Sequence, residues 1–101
     1  MGKAHSNKGR YFKFNDSEEL ERFVLLYEHL FTPYSKDVLS YKKNYYDYDI
    51  SDLERGFERS PFDKGNFLKV NLTKENLNKI LESRCFKKES WKRGRSIYVL
   101  V

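Results

Sequence analysis

The chain has 101 residues, with 20 Lys and Arg against 15 Asp and Glu, and a sequence pI near 9.3. This length predicts one domain, and the mean hydropathy of −0.85 with no long apolar run excludes a transmembrane span. The single cysteine, Cys85, excludes an internal disulfide and indicates a reducing, cytoplasmic compartment. We expect residues 1–9 to form a flexible arm and residues 10–101 to form the domain.

The first elements are a short strand and an amphipathic helix. Arg10–Phe14 is rich in aromatic residues and predicts the strand. Asp16 or Ser17 caps the helix, and Pro33 ends it because proline disfavours the helical conformation in the preceding residue. The apolar stripe of this helix consists of Leu20, Phe23, Val24, Tyr27, Leu30 and Phe31.

The middle of the chain has weaker signals. Residues 35–46 carry apolar and aromatic side chains at near-helical spacing, which predicts a second helix. Ser51 begins a capping box, so a short helix is expected through Phe57, stopped before Pro61. Residues 67–72 alternate in polarity and predict a strand or an extended segment.

The last third predicts a capped helix followed by a hairpin. Thr73 is the expected cap, and Cys85 is expected to be a small core residue at the end of this helix. Residues 87–90 and 95–101 predict two strands, and Gly94 between them supplies the positive φ of a tight turn. The buried stripe of the helix is predicted to contain Leu77, Ile80 and Leu81.

Positive charge is concentrated in this last third. Residues 1–34 have no net charge, residues 35–62 carry −1 and residues 63–101 carry +6. Such a local positive field is typical of a site for a polyanion, although a solvated surface that keeps the protein soluble explains it as well. The densest run contains Arg84, Lys87, Lys88, Lys92, Arg93 and Arg95, with Glu89 as its one acid.

Residues 71–101 resemble the winged helix-turn-helix domain, in particular the C-terminal winged helix of phage and viral primase-helicases. The resemblance consists of a capped helix that leads into a basic hairpin containing Lys-Arg-Gly-Arg. It departs at Cys85, where such domains often have glycine. The resemblance implies a small winged-helix-like α+β fold, with about three helices, a C-terminal β-hairpin and a short N-terminal strand. It places Asn76, Asn78, Lys79, Glu82 and Ser83 on the outer face of a recognition helix, and Lys92, Arg93 and Arg95 at the wing.

The residue types themselves also predict a nucleic-acid site. The helix N-terminus at Thr73, with Lys74 and Asn76 nearby, offers the donors that bind phosphates. Trp91 in the hairpin turn either stacks on a base or folds back over the core beside Phe86. The complete predicted set is Lys74, Asn76, Lys79, Arg84, Lys87, Lys88, Trp91, Lys92, Arg93 and Arg95.

Motifs for enzymes and cofactors are absent from the sequence. It contains no phosphate-binding glycine loop, no Cys-x-x-Cys and no His-Glu-x-x-His, and its two histidines, His5 and His29, form no metal pair. We therefore expect no metal, no cofactor and no catalytic residues.

The leading hypothesis is a small non-enzymatic nucleic-acid-binding protein, a monomer or homodimer with no membrane association. DNA is favoured over RNA by the resemblance, and single-stranded DNA is a variant. One alternative is a phage or mobile-element inhibitor that binds a host protein that handles nucleic acids. The other is a basic toxin-type ribonuclease, which would use cations and hydroxyls to stabilise charge at phosphorus. Its candidate residues are Lys88, Arg93, Arg95 and Tyr98.

Overall fold

A mixed β-sheet organises the chain in the computed structural model, which describes residues 8–45, 48–59 and 66–101. Five strands form this sheet in the order β2-β3-β1-β5-β4, so β1 is central. Strand β1 pairs antiparallel with β3 and parallel with β5, and both outer pairs are antiparallel. The strands are β1 (Lys8–Lys13), β2 (Phe57–Arg59), β3 (Phe67–Leu72), β4 (Phe86–Ser90) and β5 (Ser96–Leu100).

Four α-helices accompany the sheet within the described ranges, one more than the predicted three. They are α1 (Ser17–Tyr27), α2 (Lys36–Tyr45), α3 (Ile50–Arg55) and α4 (Lys74–Ser83). The protein is thus a small α+β domain with the predicted N-terminal strand and C-terminal hairpin. None of these helices has the length and apolar character of a membrane span.

The hydrophobic core lies between α1, α4 and one face of the sheet. On β3, alternate side chains Leu68, Val70 and Leu72 are fully buried, because period-2 geometry directs them to the same face. Phe12 of β1 is fully buried at the centre, with its ring 4.9 Å from that of Phe23 on α1. The remaining core residues are Phe14, Leu20, Val24, Phe31, Phe57, Leu77 and Ile80.

Both strong helix caps predicted from the sequence are confirmed. Asp16 Oδ1 accepts a hydrogen bond from the backbone N–H of Glu19 at 2.9 Å. Thr73 Oγ1 accepts one from the N–H of Asn76 at 3.1 Å. Each cap satisfies an N–H group that has no partner within its helix, which fixes where α1 and α4 begin.

The prediction for α3 and the residues after it was wrong in two respects. The cap is Asp49, whose Oδ1 accepts from the N–H of Ser51 at 2.9 Å, and not Ser51. The helix ends at Gly56 and Phe57 begins β2, a strand that the sequence reading missed. Gly56 has a φ of 100°, and a Cβ there would lie 2.8 Å from Phe31 Cβ, so this turn requires glycine.

The expected core position of Cys85 was also wrong, because its side chain is exposed. The chain leaves α4 at Arg84 in an extended conformation, and Phe86 packs on the core. Strand β1 begins at Lys8, two residues before the predicted strand, so it includes the end of the predicted arm. Residues 1–7 and the predicted stop at Pro61 lie outside the described residues.

Charged groups between α1 and β2 are paired with one another. Glu58 of β2 is buried, and its Oε2 accepts a hydrogen bond from the Tyr34 hydroxyl at 2.9 Å and lies 3.2 Å from Lys42 Nζ. Arg59 Nε lies 3.2 Å from Asp52 Oδ2. The pKa of Tyr34 is raised above its usual range, mainly because the side chain is buried and to a smaller extent because of the Glu58 carboxylate. Lys42 and Arg59 therefore serve the fold.

Candidate nucleic-acid interface

The face of the sheet opposite α1 and α4 carries polar and aromatic side chains. Directly opposed residues of an antiparallel pair point to the same face. Because Tyr11 opposes Lys69 and Lys13 opposes Phe67, all four lie on this second face. At the β2 edge of this face, the Tyr34 hydroxyl contacts Glu58. Aromatic rings cover the part of the face formed by β3, β1 and β5.

Three partly buried aromatic residues, Tyr11, Phe67 and Trp91, form an aromatic patch on this face. The ring centroids of Trp91 and Phe67 are 4.7 Å apart, and those of Trp91 and Tyr11 are 4.9 Å apart. Tyr11 and Phe67 also approach each other, at 6.4 Å. The patch therefore consists of residues from two strands of the sheet and from the residue that follows β4.

Trp91 reaches this patch because of the turn that joins β4 to β5. The backbone N–H of Trp91 donates to the backbone carbonyl of Arg95 at 2.7 Å, which closes the turn. Within the turn, Arg93 and Gly94 have positive φ angles of 55° and 74°. The predicted role of Gly94 is confirmed. Trp91 does fold back, but onto the second face of the sheet; Phe86 packs on the first face, against Phe12.

Cations surround the aromatic patch. Lys69 Nζ lies 5.7 Å from the ring centroid of Tyr11, and Lys92 Nζ lies 5.3 Å from that of Trp91. Arg95 Nη1 donates to the Tyr11 hydroxyl at 3.1 Å. A hollow of about 350 Å³ beside Trp91 is lined by Lys13 and Lys92, among others. Aromatic faces flanked by cations are the elements that bind successive bases and phosphates of a single strand.

A cationic cavity of about 430 Å³ adjoins the aromatic patch at Tyr11. It lies where β1 and β5 separate: their pairing begins at Tyr11 and Ile97, while β1 continues outward to Lys8. A Cβ on Gly9 would collide with the Lys69 side chain, so this glycine lets Lys69 lie across β1. The cavity is lined by Lys8, Gly9, Arg10, Tyr11, Lys69, Lys88, Gly94, Arg95, Ser96 and Tyr98.

The lining of this cavity contains five cations and no carboxylate. Lys8, Lys69, Lys88 and Arg95 form no salt bridge with any other described residue. Burial lowers the pKa of Arg10, because water is withdrawn from the guanidinium. Several like charges held at one opening, with no carboxylate in the described lining, attract an anion.

The predicted site residues on α4 have a different environment. Lys74 is exposed in its first turn, but Lys79 lies 3.8 Å from Glu75. The side chain of Asn76 donates to the Leu30 carbonyl at 2.9 Å, so part of its hydrogen-bonding capacity serves the fold. Arg84 lies at the C-terminal end of α4, away from the cavity lining.

The predicted residues of the hairpin divide between the cavity and the solvent. Lys88 and Arg95 line the cavity, and Lys92 lies beside Trp91. Lys87 is exposed and lies 3.5 Å from Glu89. Arg93 is exposed in the turn and does not line the cavity. The structure thus brings Lys88 and Arg95 together in the cavity lining and places Lys92 beside Trp91 at the aromatic patch, and it separates all four from the α4 residues.

The sequence reading missed the contribution of β1 and β3 to the aromatic patch and to the cavity lining. Lys8, Arg10 and Tyr11 lie within residues 1–34, which carry no net charge, so regional charge did not reveal them. A signal was nevertheless present, because Tyr11 and Lys69 alternate with the apolar residues Phe12 and Leu68. This alternation assigns Tyr11 and Lys69 to the face of the sheet opposite the core.

No group of three or more His, Cys, Asp or Glu side chains within the described ranges is placed to hold a metal ion. Comparison with protein-family models, with curated proteins and with solved structures gave no match.

Proposed function

We propose that this protein binds single-stranded nucleic acid on the aromatic patch and the cations beside it. The observation that carries the proposal is the clustering of Tyr11, Phe67 and Trp91 on the sheet face opposite α1 and α4. Aromatic rings on a sheet stack unpaired bases without regard to sequence, and neighbouring Lys and Arg bind the phosphates.

Unpaired strands suit this surface better than a duplex. Stacking on a side chain requires an accessible base face, which a duplex keeps inside its own stack. Duplex binding uses phosphate contacts and a helix or ribbon in a groove, and neither needs an aromatic cluster. The proposed ligands are therefore single-stranded DNA and single-stranded RNA. We expect Trp91 to make the central contact with either strand.

The winged-helix interpretation remains a second way for this chain to bind DNA. It would use α4 as the recognition helix and the β4–β5 turn as the wing, and the cap at Thr73 with exposed Lys74 favours it. The outer face of α4, however, carries Glu75 and Glu82 beside Lys74 and Lys79, so its charges balance. We therefore prefer the second face of the sheet as the binding surface.

A ribonuclease activity is a second candidate function, because Lys88, Arg95 and Tyr98 all line the cationic cavity. These groups would stabilise negative charge at phosphorus during cleavage. Incubation of the protein with a labelled RNA tests this candidate. Cleavage products that disappear with Arg95→Ala would support it, and intact RNA would exclude it.

The decisive experiment measures the affinity for three matched ligands by fluorescence anisotropy: single-stranded DNA, single-stranded RNA and duplex DNA, each of about 12 nucleotides. We expect one of the single strands to bind more tightly than the duplex. Because the chain has one tryptophan, stacking on Trp91 should also quench its fluorescence. No binding to any of the three at low salt would contradict the proposal and favour the inhibitor hypothesis.

Substitution of aromatic residues inside and outside the aromatic patch tests where the strand binds. Trp91→Ala should weaken single-strand binding about tenfold, which corresponds to the loss of one stacked base, while Trp91→Phe should retain most of the affinity. Tyr41→Ala is the matched control, because Tyr41 is an exposed aromatic residue on α2. A larger loss for Tyr41→Ala than for Trp91→Ala would place the site on α2 instead. Thermal denaturation confirms that each variant is folded.

A further inference from the structure

The cationic cavity differs from the aromatic patch in what it can bind. Its lining is dominated by cations, and the ring of Tyr98, which also lines it, packs against Phe12 of the core; the remaining polar groups are the hydroxyls of Ser96, Tyr98 and Tyr11. Cations and hydroxyls are donors suited to phosphate oxygens. The ligand of this cavity is therefore an anionic group.

The charge of the cavity favours a phosphate monoester over an internal phosphodiester. Its lining comes from four strands that lie side by side in the sheet and includes Lys8–Tyr11 of β1, Lys69 of β3, Lys88 of β4, and Ser96 and Tyr98 of β5. An internal phosphodiester carries one charge, whereas a terminal phosphate monoester carries about −1.5 to −2 at pH 7. Five cations with no carboxylate in the lining match the larger charge of a strand end.

Tyr11 connects the two sites. Its ring contacts Trp91 within the aromatic patch, and its hydroxyl accepts the hydrogen bond from Arg95, which lines the cavity. A base stacked beside Tyr11 therefore has its own phosphate next to the cavity opening. This continuity means that one nucleotide can engage both sites.

We propose that the cationic cavity binds the terminal phosphate of the single strand whose end bases stack on the aromatic patch. This inference rests on the proposed function, and it adds that the protein recognises a strand end. Lys8, Arg10, Lys88 and Arg95 neutralise the phosphate, and Ser96 and Tyr98 donate hydrogen bonds to its oxygens. The protein then distinguishes a phosphorylated end from an unphosphorylated one.

The test compares oligonucleotides of one sequence and of about 12 nucleotides that carry a phosphate at the 5′ end, at the 3′ end or at neither. The two phosphorylated strands have the same charge, so a difference between them reports the cavity and not general attraction. We expect one of them to bind about tenfold more tightly than the other, as hydrogen bonds to a charged group predict. Equal affinity of the two phosphorylated strands would overturn the inference while leaving the proposed function intact.

Two variants assign the preference to the cavity. Lys88→Gln removes a lining cation and should reduce the preference to about twofold or less. Lys92→Gln removes a cation that lies beside Trp91 but outside the cavity, so it should weaken both strands and keep their ratio. A ratio that survives Lys88→Gln would overturn the inference. Failure of every strand to bind would instead overturn the proposed function, and this inference with it.

Discussion

The cations between α1 and β2 and the cations of the cavity have opposite surroundings. Lys42, Arg55 and Arg59 each lie within salt-bridge distance of at least one carboxylate, and Glu58 of this set is buried. The cavity gathers five cations and has no acid in its lining. Cations of the first region are paired with acids of the fold, whereas the described lining of the second offers its cations no carboxylate. Net charge by itself therefore does not distinguish the two regions, and the distribution of carboxylates does.

Removal of the buried carboxylate of the first region should have the largest effect on stability. Glu58→Ala leaves the Tyr34 hydroxyl and Lys42 without their acceptor, and loss of one partner from a buried pair costs about 3 kcal/mol. Urea denaturation measures this loss of unfolding free energy. Single-strand affinity should change little wherever the variant is folded. A stability loss within about 0.5 kcal/mol would show that this pair contributes no more than an exposed one.

The unfolding free energy should also depend on alkaline pH through Tyr34. Its pKa is raised in the folded protein, so the folded state keeps this proton while the unfolded state loses it above about pH 10. The stability that Tyr34 contributes is therefore present below about pH 10 and is lost as the pH rises further, by roughly 1 kcal/mol over the next unit. Urea midpoints from pH 8 to about pH 11 measure the loss. Tyr34→Phe should flatten this dependence, and Tyr41→Phe should leave it unchanged.

A smaller effect is expected in the salt dependence of binding. Each phosphate contact on a single strand contributes about 0.7 to the slope of log affinity against log salt. Arg95→Gln should reduce the slope by roughly that amount. Lys79→Gln should not change it, because Lys79 lies on α4 beside Glu75. The reverse result would transfer the site to α4, as the winged-helix interpretation requires.

The smallest expected effect concerns the stability of the cavity itself. Lys88→Gln removes one of five neighbouring cations that have no acid among them. We expect the unfolding free energy to remain within about 0.5 kcal/mol of the wild type, or to rise. Thermal denaturation at low salt measures this, since low salt leaves the repulsion between cations least screened. A clear loss of stability would mean that Lys88 serves the fold, as Lys42 does.

The sequence predicted those elements whose signals are local. Asp16 and Thr73 cap helices through side chains that bond backbone groups three residues away, and Gly94 provides a turn within a hairpin. Such features need no knowledge of the rest of the chain. The strand β2 was missed because only one residue, Gly56, separates Phe57 from α3. Gly56 ends that helix in a left-handed conformation, which the sequence reading did not recognise.

The candidate site was predicted in part for the same reason. Lys88, Trp91, Lys92 and Arg95 belong to one basic segment, so the charge pattern revealed them. Lys8, Arg10 and Lys69 join them only through the pairing of β1 with β3 and β5, which no local pattern specifies. Long-range register therefore decided which cations meet at the cavity.

The central position of β1 also determines when the proposed binding surface forms during folding. Tyr11 pairs with Ile97, and Lys8 pairs with Leu72, so the two walls of the cavity are far apart along the chain. Contacts of such large sequence separation form late and slowly in folding, because a long loop must close first. The proposed binding surface is consequently among the last parts of the domain to assemble. A strand bound there would contact both β1 and β5, and because it binds only the folded state it would stabilise that state.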